Sequence, residues 1–174
     1  MTPVISMNSK QVVAAISVVI LLVMLIYPAL SSGSLSISLK STSIPQADHV
    51  FVTINGVWAH RAGQSQSQGW ELVFNTTETL DLMSLATSPN IIKGDAPVAT
   101  YDTLRIGVSN VTWVFNGTSS NLQLESDQLS SSIDFTVRSS QNLPLIIVIV
   151  GRSEILEGQR FFAATLNTTL ANGS

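Results

Sequence analysis

The chain has 174 residues, a formal net charge of −3 and 11 % charged residues, against roughly 25 % in an ordinary globular domain. It has no cysteine, which excludes a disulfide framework, a thiolate metal site and a cysteine nucleophile. No basic stripe exists to neutralise phosphates, so no nucleic-acid partner is expected. Serine and threonine take the place of charge, with 34 of them from Ser34 onward. Such a surface is wetted by hydroxyls, as in secreted β-proteins.

Residues 12–30 form one apolar run, interrupted only by Ser17 and closed by Tyr27-Pro-Ala-Leu30. As a helix these 19 residues would rise about 28 Å, close to the roughly 30 Å hydrocarbon core. Lys10 precedes the run and no acidic residue occurs before Asp48, which places the N-terminus inside and the bulk of the chain outside. Residues 1–32 are therefore expected to be a cytoplasmic stub with a signal peptide or a single-pass anchor. Ala29 and Ser31 satisfy the small-x-small rule for a cut between Ser31 and Ser32. Retention as an anchor and pilin-like processing after Lys10 are the alternatives. Export to the membrane or cell surface is common to all three.

From Ser34 the pattern changes to period two. Ser34–Lys40 alternates serine with Leu35, Ile37 and Leu39, and His49–Asn55 alternates with Val50, Val52 and Ile54 inward. Gly56 is expected as a bulge before Val57-Trp-Ala-His60, a polar loop follows over 61–69, and Trp70–Phe74 returns as a strand. Leu80, Leu82 and Leu85 fit a short strand or a helical turn, and Pro89–Pro97 reads as a loop turning at Gly94-Asp95. Thr100–Phe115 reads as a long strand pair or one bent strand, Asn116-Gly117 as a hairpin turn, then Leu122–Leu124 and Ile133–Val137 as strands. Leu143–Val150 is apolar at every position, as in a strand buried on both faces or one whose second face meets a partner. Phe161–Leu166 closes the pattern. Short strands at this spacing predict an all-β fold: one antiparallel β-sandwich of about seven to nine strands over 33–170, an N-terminal hydrophobic helix and a tail at 171–174.

Gly33–Leu39, His49–His60, Gly69–Leu72, Leu80–Leu85, Tyr101–Val108 and the Asn116-Gly117 hairpin together resemble an exported domain-of-unknown-function family, number four-three-eight-two, of archaea and bacteria. The resemblance implies an immunoglobulin- or transthyretin-like sandwich on the cell surface and carries over no catalytic residue. The chain departs from the family's pattern at Thr42-Ser-Ile-Pro45 and Val98-Ala-Thr100.

Five Asn-x-Ser/Thr sequons, at Asn75, Asn110, Asn116, Asn167 and Asn172, are candidates for N-glycosylation. Trp58, Trp70 and Trp113 are candidates for an aromatic ligand platform, or else for packing. The two histidines, His49 and His60, lack a third partner for a metal site. No nucleophile elbow, zinc motif or phosphate loop occurs, so no catalytic residue, cofactor or metal is expected. The function expected is structural or adhesive, including filament formation if residues 34–40 leave their own sheet for a neighbour's. The alternatives are a surface module binding glycan or peptide and a pilin-like subunit.

Overall fold

A computed structural model describes residues 9–156 and 159–171. The apolar run forms helix α1 (Ser9–Ser31), which leads without a linker into β1 (Ser32–Ser41). The Ser31 carbonyl accepts from the Val98 N–H at 2.8 Å and the Ser32 carbonyl from Ser140 at 3.1 Å, so the helix end is fastened to the β-domain. The side chains described on α1 are those of Val12 to Val23, about 18 Å of helical rise, and Ser31 at its end. Among the described residues no helix is long and apolar enough to cross a membrane. The transmembrane segment expected over 12–30 continues past the described side chains, and the stub at 1–8 lies outside the described residues.

Ten strands follow: β2 (His49–Arg61), β3 (Trp70–Phe74), β4 (Glu78–Asp81), β5 (Asn90–Pro97), β6 (Ala99–Phe115), β7 (Thr118–Leu124), β8 (Gln128–Val137), β9 (Asn142–Leu156) and β10 (Gln159–Leu170) complete the set begun by β1. They form one sheet in the order β3-β2-β6-β7-β10-β9-β1-β5. Strand β4 continues β3 along one side of β2, and β8 shares one side of β6 with β7. The expectation of an antiparallel sandwich is corrected in two respects. β1 lies parallel to β9, and β7 lies parallel to β10 through Gln123–Phe161 and Leu124–Phe162. That short β7–β10 pairing joins what would be two sheets, and the end strands β3 and β5 pack together, so the whole is a nearly closed barrel. Its physical cause is β1, which rises from α1 and inserts between β5 and β9 rather than finishing an edge.

Alternation drives this insertion. Leu35, Ile37 and Leu39 are at most 1 % exposed, while Ser34, Ser36, Ser38 and Lys40 point outward. On the register partner β9, Leu145, Ile147 and Ile149 enter the same core. Of the two readings of 143–150, burial on both faces is corrected: Ile146, Val148 and Val150 are half-buried on the outer face, between β1 on one side and β10, with Asn167 and Thr169, on the other. The 89–97 loop is also corrected to a strand, because Ile92 and Ala96 face inward and pair with β1. The ambiguous leucine segment resolves as β4 followed by a one-turn helix α2 (Leu82–Leu85). Asp81 caps that turn, accepting from the Met83 N–H at 3.1 Å and the Ser84 hydroxyl at 2.8 Å, while Leu82 and Leu85 sink into the core.

Candidate functional site

A polar cluster lies on the outer face of the barrel where β2, β3 and β6 meet. Register shifts near Thr53, Ile54 and Gly56 reverse the alternation of β2. Thus Val57 and Ala59 stay inside, while Trp58 and His60 emerge on the outer face. Gly56 has φ +154°, and a side chain there would strike the Trp58 ring. The same bulges bring His49 and His60 to one face, but at opposite ends of the strand, each with its own carboxylate. His49 Nδ1 meets Asp81 Oδ2 at 2.8 Å. The Asp81 carboxyl stays below its ordinary range: burial raises it, but hydrogen bonds from His49, Ser84, Met83 and Val50 outweigh burial.

His60 is fully buried although it faces outward, because the 62–69 loop folds over it. Its Nδ1 meets Asp102 Oδ1 at 2.8 Å and its Nε2 meets the Ser65 carbonyl at 3.1 Å. Carbonyl and carboxylate oxygens only accept, so both ring nitrogens must donate, and His60 is an imidazolium in this geometry. The Ser65 and Asp102 bonds raise its pKa above 6.5 despite burial. The bond to His60 is the largest cause lowering the Asp102 carboxyl. Two further bonds seat the loop, from Trp70 Nε1 to the Gln66 carbonyl at 3.0 Å and between Arg61 and Gly69 at 2.8 Å.

Trp70 is flanked by cations. The His60 ring lies 4.9 Å from its centroid and the Arg105 guanidinium 3.7 Å above it, with Trp58 5.7 Å from the same guanidinium. Arg105 also donates to Gln128 at 3.0 Å. Arg61 pairs with Glu71 at 2.8 Å beside this cluster. Sequence reasoning placed Trp58 and Trp70 correctly as strand residues but missed Arg105 as the group between them; its spacing of 35 residues from Trp70 gave no signal. Trp113, the third candidate, points inward and is 2 % exposed beneath Arg160, so it shares no platform with the other two. Near the base of β6, Tyr101 stacks on Phe135 at 5.2 Å and donates to the Pro97 carbonyl at 2.8 Å. Burial pushes its hydroxyl up to about 12.

Four sequon asparagines are exposed: Asn75 after β3, Asn110 on β6, Asn116 at the β6–β7 tip and Asn167 on β10. Asn110 donates weakly to Thr112 of its own sequon at 3.4 Å. Asn172 lies outside the described residues. Ser31 and Ser32, the cleavage candidates, are the last helical and first strand residues, both half-buried. Among the described residues no three His, Asp or Glu side chains converge as metal ligands. No curated protein matches the sequence. The profile of a family described as Domain of unknown function (DUF4382) matches residues 32–153. That match begins at β1, spans most of the barrel and covers well over half of the chain, which therefore belongs to that family.

Proposed function

We propose that this chain is an exported, N-glycosylated surface protein with a structural or adhesive role, held by α1 with its β-barrel outside the cell. The observation that carries this reading is the state of α1. All nine of its large apolar side chains described, from Val12 to Val23, are 40–63 % exposed. A helix apolar all round needs lipid or other helices to cover it. The barrel supports the same reading: its outer strand positions are mostly serine, threonine and asparagine, with few charges. β1 completes its own sheet, with eight register pairs to each neighbour. Exchange of β1 into a neighbouring copy would first have to break both ladders, so the structural role favoured here leaves β1 in place.

The absence of cysteine makes the test direct. Ser67→Cys, in the exposed 62–69 loop, should react with a membrane-impermeant maleimide on intact cells of the native host. Labelling only after lysis would overturn export. N-terminal sequencing of the labelled protein then reads whether α1 is retained. Asn75→Gln, in the exposed segment after β3, should remove one glycan-sized step of gel mobility. Unchanged mobility in that variant and in Asn110→Gln, Asn116→Gln and Asn167→Gln would remove glycosylation from the proposal.

A further inference from the structure

The β6–β7 hairpin leaves a sheet edge open at the far end of the barrel from α1. Asn116 and Gly117 both have positive φ, 49° and 72°, the backbone of a two-residue hairpin turn. In such a hairpin the flanking pair Phe115–Thr118 is hydrogen-bonded, so Thr118, Ser120 and Leu122 turn their main-chain groups toward β6. Ser119 and Asn121 turn theirs away. Gln123 and Leu124 are met by β10, but beyond that point β7 and β10 part. They leave a cleft of about 330 Å³ lined by Ser120, Asn121, Leu122, Gln123 and Arg160. Among the described residues nothing pairs with the outward edge of 118–122. This edge carries none of the usual guards, such as lysine, proline or a bulge.

We propose that this edge of β7 pairs antiparallel with β7 of a second copy, across a two-fold axis, and joins copies standing on opposed surfaces. The edge is self-complementary. Thr118–Asn121 is exposed and uncharged, so two copies meet without like-charge repulsion. Centring the axis on Ser120 sets Ser119 opposite Asn121 twice, giving four main-chain hydrogen bonds. Asn121 Oδ1 already accepts from Thr112 at 3.0 Å, which leaves the Asn121 amide to donate to the Ser119 hydroxyl of the second copy.

Geometry selects opposed surfaces. β6 starts beside Val98, which bonds the end of α1, and reaches Phe115 17 residues later, about 50 Å at the rise of a strand. The lower half of that side of β6 is already covered by β8, so only the distal end is free. Antiparallel pairing reverses the second copy, and its helix then leaves in the opposite direction. The pairing itself does not depend on export, but its adhesive meaning rests on the surface reading above, with Asn116, set opposite position 124 of the second copy, free of glycan.

The test uses the full chain in two vesicle populations bearing different tags. Ser120→Cys supplies the sole thiol, at a directly opposed pair where Cα atoms approach to about 4.5 Å. Mild oxidation should link copies with different tags, and the wild type should cluster the vesicles. Asn121→Pro removes an outward N–H together with the side-chain bond from Thr112, and Ser119→Asp sets like charges across the axis. Each should cut clustering at least tenfold with the melting transition retained. Ser120→Cys dimers confined to one tag, an absence of linkage, or clustering that survives both variants would overturn the proposal. Ser67→Cys labelling on cells stands apart from these outcomes, so loss of the pairing and loss of the surface reading are told apart.

Discussion

Gly94→Ala should be among the most damaging single substitutions in the barrel, lowering stability by about 3 kcal/mol, the upper range for overpacking. Gly94 lies in β5, and a methyl group there would overlap the carbonyl oxygen of Val73 in β3. Those are the two end strands of the sheet, so the substitution forces apart the seam that nearly closes the barrel. The neighbouring atoms are main chain and cannot move aside as a flexible side chain would. Gly63→Ala is the matched control. It has nothing within 4 Å but sits at φ +80°, so it meets only local backbone strain, about 1 kcal/mol. Urea titrations of the two variants measure the difference. If Gly94→Ala melts within about 0.5 kcal/mol of the parent, as harmless surface changes do, the seam is open and the two end strands do not touch.

Gly94 also shows where sequence reading reaches its limit. Before Asp95 it reads as turn chemistry, and the segment carries only Ile92 and Ala96 as inward residues. What needs a glycine there is the close approach of Val73, 21 positions upstream, and no local pattern encodes that. Where apolar and polar positions alternate, as in 34–40 and 49–55, the sequence specifies strand and face together, because a one-residue slip would bury serine in the first and histidine and asparagine in the second. Asn116-Gly117 specified its turn for the same local reason, since both residues adopt positive φ. The parallel pairings of β1 with β9 and β7 with β10 were not legible, because alternation sets which face is buried but not which strand lies alongside. That is why a sandwich was the natural expectation and a mixed barrel the outcome. The candidate site was half legible. Trp58 and His60 stood out, but their emergence on the outer face depends on bulges near Ile54, and the partners Arg105 and Asp102 come from a distant strand.

His60 is the residue whose titration should govern the clasp over 62–69. Its folded pKa is raised above 6.5, first by the Ser65 carbonyl and then by Asp102. A group with a raised folded value stabilises the fold fully below its unfolded value and loses that contribution as pH climbs through the folded one. Asp102, whose folded value is lowered from 3.8, contributes above that unfolded value and fails as pH drops through the folded one. The clasp is therefore strongest between about pH 4 and 6.5 and weakens at higher pH, when one ring nitrogen must turn a lone pair on an acceptor oxygen. The charged neighbours do not reverse this: Arg105 lies across Trp70, and Arg61 is paired with Glu71. His60→Ala, which deletes two charged hydrogen bonds and leaves Asp102 without its partner, should cost on the order of 2 kcal/mol at pH 6. It should cost clearly less at pH 9. Protection of the Ser65–Gly69 amides, relative to their intrinsic exchange rate at each pH, should fall in the variant at pH 6 and in the parent as pH rises. A stability profile from pH 5 to 9 that keeps its shape in His60→Ala would mean that His60 does not carry the proton, and that the Trp70–Gln66 and Arg61–Gly69 bonds hold the loop.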